Sequence, residues 1–309
     1  MKKANVVVVG SSNTDMIIQM KSIPRPGETL LGGRFSIAPG GKGANQAVAA
    51  ARAAGPGGKV TFVAKVGQDL FGDQTIAGLK KDKISTDYVF RDKKNASGVA
   101  LIYVAEDGEN SIGVASGANG ALSPADVKKA AKVIAESDIL VMQLETPLPT
   151  VLEAAKTADK AGVPVILNPA PMQPLPEELL RKVTILTPNE TEAESLTGIT
   201  VTDKKTAEEA ASILHRKGVP IVIITMGAKG VYLSAPECKK MIKSFKVKAV
   251  DSTAAGDVFN GALATALSQE IGLLEAIRFA IAAAAISVTR LGAQPSVPTR
   301  KEIEKMLKS

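Results

Sequence analysis

Short apolar runs alternate with amphipathic stretches along most of the chain. Val6–Val9 is a continuous apolar run ending at Gly10, the pattern of a strand buried on both faces. Asp15–Met20 and Thr29–Ile37 read as extended segments around a Pro24-Arg25-Pro26-Gly27 turn. Gly40-Gly41-Lys42-Gly43 then opens an alanine-rich helix, Ala44–Ala54, closed by Gly55. A strand at Val60–Val66 and a helix at Leu70–Leu79 follow. Gly98–Ala105 and Ser111–Ala115 flank the turn-rich Glu106-Asp107-Gly108-Glu109-Asn110 and predict a hairpin. Beyond it the alternation is regular. Ser123 with Asp126 caps a helix to about Ala135, followed by strand Ile139–Leu144, helix Pro149–Ala161 and strand Pro164–Leu167. Strand Val183–Leu186, helices Thr191–Leu196 and Lys205–Lys217, and strand Ile221–Thr225 continue it. Lys239–Lys248 alternates lysine with other residues, as one solvated strand face would.

This rhythm predicts an α/β protein of three layers, α/β/α, with a mostly parallel central sheet. Residues 14–38 and 96–116 interrupt it. They are expected to join into a small β-sheet lid inserted in one α/β domain made of 1–13, 39–95 and 117–309. Open parallel sheets bind ligands beyond the carboxyl ends of their strands. That rule marks Asn13, Asp15, Glu145, Asn168, Asn189, Thr225, Gly227 and the stretch 251–257.

Composition narrows the classes. The 309 residues are 45% apolar and 22% charged, enough to build a sizeable core. One cysteine, Cys238, and one histidine, His215, exclude disulfide frameworks, cysteine clusters and multi-histidine metal sites. His215 reads as a surface residue favoured by a helix C-terminus, and Cys238 as incidental in a charged turn. No apolar run approaches the ~18–20 residues of a membrane span. No signal-peptide pattern precedes Val6, so the cytoplasm is expected. Lys plus Arg exceeds Asp plus Glu by 38 to 31, but aromatics are 3% with no Trp, so platforms for stacking bases are scarce. A small polyanionic ligand explains the positive balance as well as nucleic acid does.

Four segments carry candidate chemistry. In Asp251-Ser252-Thr253-Ala254-Ala255-Gly256-Asp257, small residues and an acid precede an apolar helix. This is either a plain acid-stabilised helix start or an anion hole with a base beside it. Pro39–Ala47 resembles a phosphate loop but fails both patterns. Gly43 stands where a Walker motif needs Ser or Thr, and Gln46 takes the third Gly position of the dinucleotide fingerprint. It is a flexible glycine turn, or one that lets backbone approach a sugar beside Asn45. Thr187–Glu194 is a dipole-favoured acidic first turn, or Asn189 and Glu192 hold water around a magnesium–phosphate complex. Thr225-Met226-Gly227-Ala228-Lys229-Gly230 is a loop or a nucleotide contact.

Together and in this order, the segments resemble the ribokinase-like (PfkB) carbohydrate kinase family across essentially the whole chain. The resemblance runs from Gly10–Asp15 through Gly41–Ala47, Met142–Glu145, Asn168–Pro171 and Thr187–Glu194 to Gly292–Pro298. It implies ATP-dependent phosphorylation of a sugar hydroxymethyl group, and these motifs are most similar to members acting on the 5-hydroxyl of D-ribose. It further implies that Asn13, Asp15, Gly41, Lys42, Asn45 and Glu145 bind the sugar. Asp257 would be the general base, with Ala254, Ala255 and Gly256 supplying anion-hole amides. Asn189, Thr225, Gly227, Ala228, Lys229, Gly230 and Gly256 would belong to the ATP site. Glu192 would act on Mg2+ through water. Asp251, Thr253, Ser287, Arg290, Gly292 and Ser296 would form a potassium site. A homodimer through the lid is expected, with no nucleic-acid or membrane partner. Ile281 would pack on adenine where a His can occur, and Ala254 stands where the wider family has Gly. The alternatives are a deoxyribose or nucleoside kinase of the same family and a non-catalytic sugar-binding regulator.

Overall fold

The computed structural model describes residues 2–308. The first half comprises β1 (Asn5–Val9), β2 (Asn13–Met20), β3 (Arg34–Gly40), α1 (Lys42–Ala54), β4 (Lys59–Gly67), α2 (Leu70–Lys81), β5 (Ser85–Asp92), β6 (Gly98–Ala105) and β7 (Asn110–Ala115). The chain continues with α3 (Pro124–Lys129), α4 (Ala131–Ala135), β8 (Ile139–Met142), α5 (Leu148–Lys160), β9 (Val165–Leu167), α6 (Glu177–Leu180) and β10 (Ile185–Leu186). It ends with α7 (Glu190–Thr197), α8 (Lys204–Arg216), β11 (Ile221–Thr225), β12 (Val231–Ala235), β13 (Cys238–Ile242), α9 (Ala255–Ser268), α10 (Leu273–Ser287) and α11 (Arg300–Met306).

Among the described residues the large sheet has nine strands in the order β13-β12-β11-β10-β9-β8-β1-β4-β5. It is parallel from β5 to β11 and antiparallel through β12 and β13. Alternate residues of each central strand feed two separate cores. Val6, Val8, Phe62 and Val141 pack with α1, α9 and α10 on one face. Val7, Val9, Leu140 and Met142 pack with α5, α7 and α8 on the other. That two-sided burial is why the strands read as unbroken apolar runs. The segments expected to interrupt the rhythm supply β2, β3, β6 and β7, a separate four-stranded sheet in the order β3-β2-β6-β7. The fold class is thus the one expected: mixed α/β with a mostly parallel sheet and a smaller one.

Helices α1 and α9 cross at unusually close range. A Cβ on Gly261 would lie 2.4 Å from the Gln46 carbonyl and 2.6 Å from Ala49 Cβ. Glycine and alanine at this contact let the two backbones approach, and their N-termini carry most of the site.

Several boundaries differ from expectation. Helix α1 starts at Lys42 rather than Ala44, with Gly41 as its N-cap. The helix expected from Ser123 to Ala135 is two short helices meeting at Ala130. Regular structure in Thr29–Ile37 begins only at Arg34, and the lysine-rich strand stops at Ile242 rather than Lys248. Cys238 opens β13 instead of sitting in a turn. His215 lies in the last turn of α8, as expected, but is half-buried rather than a surface residue. Its Nδ1 is 2.8 Å from the Val219 carbonyl and its Nε2 2.8 Å from Ser234 Oγ, which ties α8 to β12.

Candidate active site

The site lies where β1, β8, β9, β10 and β11 end. Gly41 makes the turn from β3 into α1 with φ 87°, and a Cβ there would sit 2.6 Å from the Asn13 amide. Glycine is required on both counts. This close fit sets the first turn of α1 against the start of β2. Glu145, just after β8, bridges them: its Oε2 accepts from the Lys42 amide at 3.0 Å and from the Ser11 hydroxyl. Asn119 fixes the neighbouring turn. It accepts from the Ser12 amide at 2.9 Å and donates to the Ser12 carbonyl at 3.0 Å and to Asn13 Oδ1 at 2.8 Å.

Asp257 is 5% exposed in the first turn of α9. Asn45 Nδ2 donates to its Oδ2 at 3.0 Å and Gln46 Nε2 to its Oδ1 at 2.9 Å, so two consecutive residues of α1 grip both oxygens. Ala254 caps the helix in the left-handed region with φ 59°, a costly conformation for a residue with a Cβ. The Ala255 amide is engaged by the Ser252 carbonyl at 3.2 Å. Those of Gly256 and Asp257 have no acceptor among the described residues, and a Cβ on Gly256 would meet nothing within 4 Å. A helix start with free amides facing open space suits an anion. Of the three amides expected there, Ala255 is already hydrogen-bonded.

Charge is concentrated here. Burial raises the proton affinity of Asp257, opposed by Lys42 and by the two amide donors. Burial pushes Asp15, on β2, up to about 6, with Glu145 and Asp257 adding repulsion. Burial also raises Glu192, on α7. Lys42 is itself desolvated, yet Asp257, Glu145 and Glu192 together hold its proton more tightly than usual. One ammonium thus serves several carboxylates.

At the start of α7, Asn189 and Glu192 form a capping box. Asn189 Oδ1 accepts from the Glu192 amide at 2.8 Å and Glu192 Oε2 from the Asn189 amide at 2.9 Å. Thr225 joins them through an isolated bridge to Asn189. Gly227, Ala228 and Lys229 make a single tight turn after β11, but the Lys229 ammonium donates to the Thr202 carbonyl at 2.8 Å. Ile281 is buried and lines a 430 Å³ cavity with Ile242, Phe245, Leu274 and Arg278. The residues expected around potassium converge only partly. Asp251 accepts from the Thr253 and Gly292 amides, each at 2.8 Å. The hydroxyls of Ser287 and Ser296 are turned back onto the Ala284 and Ala293 carbonyls, and the Arg290 guanidinium pairs with Glu302. Backbone carbonyls and Asp251 are the donors left for a cation. Among the described residues no three His, Cys, Asp or Glu side chains cluster as a metal site, so a divalent ion here would depend on Glu192, water and phosphate.

Sequence reasoning passed over Ser11, Gln46, Asn119, Gln143 and Asn260. Gln46 was named as the residue that broke a glycine pattern and stood inside the Gly41–Ala47 motif, but was given no role. Its neighbour Asn45 and its place one turn into α1 were the available signal.

Residues 3–300 match the pfkB family carbohydrate kinases. A ribokinase of Haemophilus influenzae is 51% identical over 97% of this chain and 97% of its own. The crystal structure of a Thermotoga maritima ribokinase covers 99% of this chain and 100% of that one, at 43% identity and a TM-score of 0.90. An Arabidopsis thaliana ribokinase complexed with ribose and ATP covers 100% of both chains, at 34% identity and a TM-score of 0.91. With a buried carboxylate at a helix start, free amides beside it and this likeness over its full length, the chain belongs to the pfkB family of carbohydrate kinases.

Proposed function

We propose that the chain transfers the γ-phosphoryl group of ATP to the 5-hydroxyl of D-ribose, yielding ribose 5-phosphate and ADP. The observation that carries this is Asp257: a buried carboxylate of raised proton affinity, beside the unpartnered amides of Gly256 and of Asp257 itself. Its carboxylate takes the hydroxyl proton as that oxygen bonds to the γ-phosphorus. The bond from phosphorus to the β–γ bridging oxygen breaks, and its electron pair leaves with ADP. The amides of Gly256 and Asp257, with the positive end of α9 behind them, bind the oxygens that gain charge. The relatives named ribokinase support ribose as the acceptor.

The sugar pocket we assign to Asn13, Asp15, Gly41, Lys42, Asn45 and Glu145. Asn45 Oδ1 is buried and lacks a partner among the described residues, so it offers an acceptor for a hydroxyl donor. Asp15 would accept from two further hydroxyls. A substrate lacking one of them leaves a polar group unpaired, at a cost of about 1–3 kcal/mol. Asn189, Thr225 and the 227–230 turn are assigned to ATP, and the cavity beside Ile281 suits its base. Magnesium, when bound, would neutralise phosphate charge, and Glu192 is the side chain that would hold it through water. Potassium, when bound, would brace the 251–256 backbone from Asp251 and nearby carbonyls. The small sheet we assign as a lid that excludes water, and its exposed apolar face as the contact between two copies.

A coupled assay of ADP release on ribose, deoxyribose and adenosine, with and without potassium, tests this. Ribose should be turned over fastest, and faster with potassium. Preference for deoxyribose or adenosine overturns the substrate assignment. Ribose binding without ADP release would favour a sugar-binding regulator.

A further inference from the structure

Gln46 has no role in the reaction above, yet it is fully buried at its centre, with 0% exposure. Its amide polarity is dictated by Asp257 and Asn168, and Gln143 meets the other end. Nε2 donates to Asp257 Oδ1 at 2.9 Å and to Asn168 Oδ1 at 3.2 Å, while Oε1 accepts from Gln143 Nε2 at 2.6 Å. Exchanging nitrogen and oxygen would turn Oε1 against two other oxygens. The chain of bonds continues and closes on itself. Asn168 Nδ2 donates to the Thr187 carbonyl at 3.4 Å, and the Thr187 hydroxyl donates to Asn260 Oδ1 at 2.7 Å. Asn260 Nδ2 then donates to the Gly256 carbonyl at 2.8 Å, on the peptide that leads into Asp257. The ring therefore holds the Asp257 carboxylate at one point and its backbone at another. A buried ring in which every link is made is far stiffer than a lone hydrogen bond.

We infer that Gln46 is a positioning residue for Asp257, locking the rotation of its carboxylate while Asn45 holds the oxygen on the sugar side. This rests on Asp257 being the base. The inference also has an electrostatic side. The Gln46 donor favours the ionised carboxylate against its burial. The other charged groups around Asp257 are Lys42 on α1, Glu145 after β8, Asp15 on β2 and Glu192 on α7. All four remain in Gln46→Met, so a change in titration there reports the missing amide; Gln46→Glu adds a carboxyl group that disfavours the ionised Asp257 further.

Gln46→Met keeps length and volume but removes both donors; Gln46→Glu keeps the outline and replaces the amide with an acid. Each is compared with the parent by melting temperature, ribose affinity from calorimetry, and the pH profiles of kcat and kcat/KM. The expected result for both is a fall in kcat of about tenfold or more, ribose KM within about threefold, and an acid limb moved about one unit to higher pH. Activity should recover in part as pH rises. A structural role alone predicts a loss equal at every pH. An acid limb that is unmoved or absent in both variants, or a loss carried by KM, overturns the inference. Asp257→Asn is run in parallel and should lower kcat by about 10²–10⁴-fold. Should Asp257→Asn retain turnover, the base assignment falls and the Gln46 inference with it. Should it lose turnover while the Gln46 variants keep their acid limb in place, only the Gln46 inference falls.

Discussion

Asp15, assigned to the proposed sugar pocket, ties its charge to stability. Its folded proton affinity, near pH 6, lies above the ordinary carboxylate value of 3.8, because burial and the Glu145 and Asp257 charges disfavour ionisation. Between these two pH values the folded protein binds more protons than the unfolded chain, so stability falls as pH rises through the interval. Asp15→Asn should therefore raise stability at pH 7 by about 2 kcal/mol in chemical denaturation, and the gain should vanish below about pH 4. The same variant should raise ribose KM, since an amide presents an NH2 donor where the carboxylate has its second acceptor oxygen. A variant less stable than the parent at pH 7 would contradict the electrostatic account. Asp15, Asn45 and Asp257 were legible in the sequence because strand ends and helix starts have positions that can be counted. Gln46 and Asn119 were not, because their roles exist only across separations of 211 and 107 residues in the chain.

At the scale of elements, the contact between α1 and α9 governs the site. Gly261→Ala would place a methyl group against the Gln46 carbonyl, and backbone cannot rotate aside. The helices must part, at a cost of about 1–3 kcal/mol visible as a lower melting temperature. The Asn45 and Gln46 bonds to Asp257 should lengthen with them, so kcat should drop more than ribose affinity does. An unchanged melting temperature would show that the crossing has slack. Element order was readable where a strand buried on both faces is an unbroken apolar run, as in Val6–Val9. It failed at β5, which pairs on one side only and mixes Asp87, Arg91 and Asp92 with half-buried apolar residues. It failed again at β12, where only Val231-Tyr232-Leu233 is strongly apolar before Ser234, directly after a tight turn. The start of α1 was missed because Gly43 is a poor helix former and Lys42 follows two glycines; their amides are held by Glu145 and Ser11.

Over the whole molecule, the small sheet leaves apolar residues uncovered. Phe35, Ile37 and Leu101 share one face and are each more than half exposed, at 57%, 52% and 52%. Such a patch on a sheet with free edges favours pairing with a second copy. Sedimentation should give twice the chain mass, and Leu101→Lys should shift it to the monomer; a parent that sediments as a monomer would remove this contact from the proposal. The connection of this sheet to the rest of the protein has a mechanical meaning. Strand β2 runs unbroken from Met20 to Asp15 and Asn13, and β3 delivers the chain through Gly41 straight into α1. A strand of eight residues is a nearly inextensible rod of about 27 Å. Tilting its distal tip would carry the Asp15 carboxylate on β2 and, through β3, the Lys42 turn, so an antibody or twin subunit gripping the outer rim should change turnover at a distance.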